Sequence, residues 1–284
     1  MKKVLKAILM HSFIGAWLGK IPGFPRLYAK TVWCQQMNNF LGLYGSFEDA
    51  ERAATDFNKV GWNDEGIAKI LVNEKPEEAA PQVFQTSQFA VLLWLTKLLK
   101  SGNAILDVGG AGGVFYEICM RYGLLSSPMR WHVVDVPAMV KRGIARHQQL
   151  KSPMISFGTE LVEAPSSNIM LMLGVMQYLP DPLGEKGPGI LENVKTLPSH
   201  ILINKVPLMD DGEVWTIQNH VTSAMPYRLF SRRKFMDYFE AHGYRLRDRW
   251  MVPELSVDIP FHPERAVPFL EGVHFERHPA TAAT

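Results

Sequence analysis

The sequence predicts an α/β protein with a doubly wound, mostly parallel sheet, preceded by a helical segment. Three observations predict it. Residues 104–116 run Ala-Ile-Leu-Asp107-Val-Gly109-Gly110-Ala111-Gly112-Gly113-Val-Phe-Tyr, an apolar strand that ends in an acid and turns through glycines into a helical pattern. Residues 131–137, Trp-His-Val-Val-Asp135-Val136-Pro137, form a second apolar strand ending in an acid. From residue 101 onward strands and helical patterns alternate, which implies a parallel sheet covered on both faces.

Residues 1–100 read as a helical cap, packed on the core, with almost no strand signal. The basic, apolar start through Trp17 has Lys6 and His11 in its middle and no small-x-small cleavage site before Lys20-Ile-Pro-Gly, so it reads as an amphipathic helix rather than a signal peptide. It is too interrupted to span a bilayer. Two placements are open: packing on the protein, or contact with a membrane surface through Lys2, Lys3, Lys6 and the Phe13/Trp17 side. Ser46 before Phe-Glu-Asp-Ala-Glu is an N-cap followed by first-turn acids. Asn63-Asp-Glu starts another helix, and Pro81 a third with Val83, Phe84, Val91, Trp94, Leu95 and Leu98 on a broad apolar stripe.

The core, 101–278, should carry strands near 104–108, 131–136, 154–157, 168–173 and 200–206, with helices over 113–122, 138–150 and about 188–196. Ser231 should cap a helix stopped by Gly243, followed by a strand over Tyr244–Met251 and another over Gly272–Glu276. These last two should pair at one sheet edge. Residues 279–284 read as a loose tail.

The glycine turn carries the chemistry. Glycines let a backbone adopt positive φ and approach a ligand closely. A dinucleotide site normally lacks an acid at this strand end, because a pyrophosphate sits over the helix N-terminus. Asp107 would repel phosphate but suits a ligand with an ammonium group and a sulfonium. Asp-x-Gly-x-x-Gly therefore points to S-adenosylmethionine (SAM), bound by Asp107, Gly109, Gly110, Ala111 and Gly113. Asp135, with Val136 beside it, stands where a ribose diol is held, although its distance from Asp107 exceeds the roughly 20 residues usual for such a unit. An NAD(P) oxidoreductase would need a glycine where Phe115 stands and leaves Asp107 unexplained.

Composition narrows the setting. With 47% hydrophobic and 20% charged residues the chain is an ordinary globule, and a net charge of +2 without basic stripes gives no case for nucleic acid. Cys34 and Cys119 lie far apart in apolar helical contexts, which suits core positions in a reducing, cytoplasmic compartment. His274 and His278 fall in an expected strand and tail with no third ligand nearby, so no metal is expected.

Over about residues 100–276 the chain resembles the class I SAM-dependent methyltransferases. The resemblance rests on Asp107–Gly113, on Asp135, on Leu171-Met-Leu-Gly174-Val-Met-Gln177-Tyr178-Leu-Pro-Asp-Pro182, and on the Gly243-Tyr244 turn. It implies a seven-stranded Rossmann-like methyltransferase sheet, with Gly174 beside the methionine part of the cofactor. More narrowly, Tyr44-Gly-Ser-Phe-Glu-Asp-Ala50, Thr216-Ile-Gln218-Asn219 and Phe269–Arg277 resemble a bacterial group of methyltransferase-like proteins often associated with surface-polysaccharide biosynthesis, with acceptors generally unassigned. That implies a small-molecule or glycan acceptor.

Three departures matter. Gln177 stands where plant-type O-methyltransferases carry a basic histidine, and an amide cannot take up a proton near neutral pH. Gly158-Thr159-Glu160 replaces the acid often found after strand three, which leaves Thr159 or backbone groups for adenine. Asn168 replaces a common aspartate. Gln177, Tyr178 and Gln218 are candidates for positioning the acceptor. His220, expected on a polar loop or helix beyond strand five, is the candidate general base. A methyltransferase-fold binding protein without catalysis is the competing reading that Gln177 favours.

Overall fold

The structure is a computed structural model and describes residues 13–35, 37–57, 61–74, 85–125, 128–152, 154–220 and 223–278. Residues 1–12, Val83, Phe84 and the 279–284 tail lie outside them. In chain order the helices are α1 (Phe13–Gly19), α2 (Phe24–Thr31), α3 (Phe47–Thr55), α4 (Glu65–Leu71), α5 (Phe89–Leu98), α6 (Val114–Arg121), α7 (Pro137–Gln149) and α8 (Arg232–Ala241). The strands are β1 (Asn39–Tyr44), β2 (Ala104–Val108), β3 (Arg130–Val134), β4 (Ile155–Gly158), β5 (Ile169–Leu173), β6 (His200–Val206), β7 (Leu208–Met209), β8 (Val214–His220), β9 (Ser223–Ser231), β10 (Tyr244–Val252) and β11 (Leu270–Arg277).

These elements fall into two compact units, neither contiguous in sequence. The larger comprises Asn63–Val206, Arg233–Trp250 and Glu271–Thr284, the smaller Met1–Trp62, Pro207–Arg232 and Met251–Leu270. The expected helical cap is thus divided between them: residues beyond Trp62 belong with the larger unit.

The larger unit holds a seven-stranded sheet in the order β10-β11-β6-β5-β2-β3-β4. Neighbours from β6 to β4 are parallel, whereas β11 runs antiparallel to β6. The sheet is the doubly wound, mostly parallel one expected, with its two last strands at one edge. Val91 and Leu95 of α5 and Phe115, Ile118 and Cys119 of α6 pack with Ile105, Trp131, Ile169 and Leu202 on one face. On α8, Phe239 stacks on Phe275 of β11 at 4.4 Å. All five residues of β2 are buried, which fits a central strand covered on both sides.

One helix is missing. Residues 188–196, expected to be helical, form turns instead. The Asp181 carboxylate accepts backbone N–H groups of Glu185, Lys186 and Gly187 at 2.8, 2.8 and 3.0 Å. The Tyr238 hydroxyl accepts the Leu191 N–H at 2.9 Å. The Asp181 bonds set a turn just before the segment, Tyr238 takes up the Leu191 N–H within it, and Pro188 and Gly189 disfavour a helix there.

The smaller unit corrects the expectation of an almost strandless N-terminus. Its sheet has the order β1-β8-β9-β7, with β1 and β9 both antiparallel to β8. Asn39–Tyr44 was obscured because Gly42 interrupts its short apolar run and Asn39 and Gly45 stand at its ends. Its partner lies far along the chain: the Thr216 hydroxyl donates to Leu41 O at 3.1 Å across 175 residues. Ser46 and Asp64 act as N-caps, their side chains accepting Asp49 N and Ile67 N at 3.1 and 2.9 Å. Among the described residues, no helix is long and apolar enough to cross a membrane.

Candidate functional site

The carboxyl ends of β2, β3 and β5 meet where strand succession reverses, with β3 on one side of β2 and β5 on the other. Open α/β sheets bind ligands at such a switch point. Asp107 pairs in register with Val133 and Leu171, so its position is fixed from both sides. It is 1% exposed. Trp131 Nε1 donates to Asp107 Oδ2 at 3.1 Å, while Oδ1 is buried with no hydrogen-bond partner among the described residues. Burial pushes the carboxyl up to about 7; the Trp131 hydrogen bond opposes this and the nearby Asp135 charge adds to it.

The turn that follows is shaped by close approach. Gly109 has φ of 69° and donates its N–H to Val134 O at 2.8 Å. A Cβ there would lie 2.5 Å from Val175 Cγ2, so only glycine fits between the ends of β2 and β5. A Cβ at Gly110 would lie 2.6 Å from Asp107 Oδ2, and one at Gly113 2.6 Å from His147 Nε2. Asp135 ties the turn to β3: its Oδ2 accepts Ala111 N–H at 2.8 Å and its Oδ1 accepts Val136 N–H at 2.7 Å. Burial raises its pKa, against which both backbone hydrogen bonds act. Two of the roughly four lone-pair positions of a carboxylate remain for a further donor.

Gly174, with φ of 94°, follows β5 and accepts a hydrogen bond from Gln177 Nε2 at 3.1 Å. That contact fixes the Gln177 amide, whose Oε1 is buried without a partner among the described residues. Tyr178, beside it, is half-buried, and burial holds its hydroxyl well above the usual range. Thr159 follows β4 and is exposed. The structure thus brings together Asp107, the Gly109–Gly113 turn, Asp135, Val136, Gly174 and Gln177.

Gln218 and His220 are differently placed. They lie on β8 of the smaller unit, in a strand rather than on the expected polar loop or helix. The alternation Thr216, Gln218, His220 is itself strand-like, which is why β8 pairs so regularly with β9. His220 Nε2 is 3.3 Å from Gln218 Oε1, an oxygen that only accepts, so Nε2 carries the proton and Nδ1 the lone pair. Its ring lies 5.0 Å from that of Trp62, and burial lowers its pKa, keeping it neutral at pH 7.

Several supporting residues were missed. Asn63, read as a helix start, accepts Ala138 N–H at 3.0 Å and so caps α7. Val72 packs under the glycine turn, 2.7 Å from where a Gly112 Cβ would be. His147 Nε2 is 3.1 Å from Gly112 O. Arg146, 6% exposed, makes a two-point pair with Glu117 and donates to Asn73 O at 2.6 Å. The spacing of Glu117 and Arg146 gives no local signal of this pair. His274 is buried in β11 with Nε2 3.2 Å from His200 Nδ1, whereas His278 N–H donates to Gly243 O.

No family model matches the chain, and no curated protein matches its sequence. Solved structures similar to it include a SAM-dependent methyltransferase from Aquifex aeolicus, at 17% identity and a TM-score of 0.46, covering 75% of this chain and 97% of that one. A Pyrococcus horikoshii protein is similar at 8% identity and a TM-score of 0.48, covering 74% and 96%. Magnesium protoporphyrin IX methyltransferase from Synechocystis, solved with bound SAH, is similar at 12% and 0.46, covering 70% and 90%. The fold assignment rests on the strand order and register described above.

Proposed function

We propose that the chain is a SAM-dependent methyltransferase acting on a small hydroxyl acceptor, with a sugar as the favoured class. The observation that carries the cofactor is the buried Asp107 Oδ1, left without a partner among the described residues beside a turn whose Gly109, Gly110, Gly112 and Gly113 leave no room for a Cβ. A buried carboxylate oxygen in that position suits an ammonium and disfavours a pyrophosphate. Asp107 would take the methionyl ammonium, and the free lone pairs of Asp135 would take the ribose hydroxyls. Gly109–Gly113, Val136, Thr159 and Gly174 would supply backbone and shape. When bound, SAM supplies an electrophilic methyl group on a sulfonium.

In the larger unit, Gln177 and Tyr178 follow β5 beside the glycine turn and are assigned to the acceptor; Gln218, on β8, is proposed for the acceptor from its place in the sequence alone. Gln177 Oε1 would accept one donor, such as a hydroxyl. From its place in the sequence, His220 is proposed as the base that takes the hydroxyl proton as the oxygen forms its bond to the methyl carbon and the carbon–sulfur bond breaks. A neutral imidazole serves as a base at pH 7, and a placed base is worth about 10²–10⁴-fold. The resemblance to the surface-polysaccharide group supports a sugar.

Titration calorimetry with SAM and with NAD tests the reading. SAM should bind and NAD should not. Binding of NAD alone would overturn it, while SAM binding without turnover on any sugar acceptor would favour a methyltransferase-fold binding protein.

A further inference from the structure

Residues 1–47 contain six lysines and arginines and no aspartate or glutamate, so the remainder of the chain holds 24 basic against 28 acidic residues. The cationic bias is confined to one end. Within it, α1 and α2 belong to the smaller unit and are joined by a turn in which Lys20 N–H donates to Trp17 O and Phe24 N–H to Ile21 O.

The inner faces of these helices are well occupied. Leu18, Phe24, Tyr28 and Ala29 belong to one hydrophobic cluster with Phe261 and Trp215. A Cβ at Gly19 would lie 2.6 Å from Phe261 Cβ, so α1 sits directly on that ring. The outward residues are unusually apolar: Ile14 is 58% exposed, Trp17 63% and Leu27 58%. Lys20, Arg26 and Lys30 are exposed among them, and Leu27 is flanked by Arg26 in sequence and by Lys30 near the end of its helix.

Isolated exposed apolar residues need no explanation, but large ones gathered with cations in an acid-free segment do. Tryptophan and basic side chains together suit the headgroup region of a bilayer: the ring has an apolar body and a polar N–H, and cations attract anionic lipid. We infer that α1 and α2 dock this protein on an anionic lipid surface, with Ile14, Trp17 and Leu27 entering the headgroup boundary and Lys20, Arg26 and Lys30 meeting lipid phosphates. The attachment is interfacial, because no helix among the described residues is long enough to span. Each cation at such a surface contributes roughly fivefold to partitioning.

The test is co-sedimentation of the full chain with phosphatidylcholine vesicles carrying one part in three phosphatidylglycerol, against pure phosphatidylcholine. The chain should partition at least about tenfold more strongly to the anionic vesicles at low salt and be released at high salt. Arg26→Glu with Lys30→Glu should cut partitioning at least about tenfold, and Trp17→Ala several-fold, both with unchanged circular dichroism. Lys69→Glu, on α4 of the larger unit, should leave it unchanged. Equal binding to neutral vesicles, no binding to either, or indifference to Arg26→Glu/Lys30→Glu overturns the inference. So does a Trp17-dependent dimer in ultracentrifugation that ignores vesicles, since the face would then belong to a second copy of the chain.

Discussion

Asp107 should make SAM affinity depend on pH in a defined window. Its carboxyl is shifted from 3.8 to about 7 because burial penalises the charged form. An ammonium beside Oδ1 needs the carboxylate, so binding below pH 7 must first remove a proton. At pH 5.5 about 3% of Asp107 is ionised, and at pH 7 about half, giving a roughly fifteenfold gain in affinity across that interval. The α-amino group of the ligand, with a pKa near 8, stays cationic throughout. Calorimetry in two buffers of different ionisation enthalpy should show close to one proton released at pH 5.5 and about half of one at pH 7. Asp107→Asn should bind weakly, with a flat pH response. A wild-type affinity that is constant from pH 5.5 to 7, with no buffer-dependent heat, would refute the placement of an ammonium on Asp107. The same shift acts on folding. The neutral carboxyl favours the folded state, so its contribution is complete below pH 3.8 and lost as pH rises to about 7. At 1.36 kcal/mol per pH unit, the unliganded protein should lose about 4 kcal/mol over that range from this group, and Asp107→Asn should remove that slope in urea titrations.

Four further outcomes follow from the geometry. Asp135→Ala should weaken SAM binding roughly ten- to a hundredfold by calorimetry, in a protein that remains folded, because it deletes charge-assisted hydrogen bonds worth about 1.5–3 kcal/mol. His220→Ala should lower turnover at least about 100-fold with SAM affinity nearly unchanged, and equal losses in both would mark a structural role. Arg146→Ala removes two hydrogen bonds to the partly buried Glu117, which keeps His147 Nε2 at 3.6 Å, and one to Asn73 O, so chemical denaturation should show a loss of about 1.5–3 kcal/mol. Gly109→Ala forces a methyl against Val175 at a φ of 69°, and should cost about 1–3 kcal/mol in the same assay while weakening SAM binding.

What the sequence revealed depended on whether the signal was local. The central strands of the large sheet are short apolar runs with their own stops, so β2, β3, β5 and β6 were legible within a residue or two. Asp107 and Asp135 stood out because an acid at a strand end breaks the expected apolar pattern, and the structure places both at the carboxyl ends of β2 and β3. The helix expected at 188–196 failed because Pro188 and Gly189 disfavour it and Tyr238, far along the chain, takes up the Leu191 N–H. The smaller sheet was hidden for a related reason: β1 pairs with β8, a partner no local window contains. His220 and Gln218 were identified as residues, but their polar sequence suggested a loop or helix where cross-strand pairing with Ser223 and Met225 makes a strand. Asn63 and Val72 gave no signal because their roles exist only against α7 and the glycine turn.

The long separation between β1 and β8 also governs how the chain is made. Synthesised at about 5–20 residues per second, the ribosome would need roughly 9–35 s to pass the 175 residues between Leu41 and Thr216. Throughout that interval β1 has no antiparallel partner, and Phe40 and Leu41, buried in the finished protein, remain without their final cover. Such an unpaired apolar strand can pair with other nascent chains. Its remaining cover comes later still, because Phe261 joins the same cluster only after residues 251–270 emerge. Low temperature, slow induction or a chaperone that shields residues 39–44 should therefore raise the soluble yield more than any change within the large sheet, whose parallel strands follow one another closely along the chain.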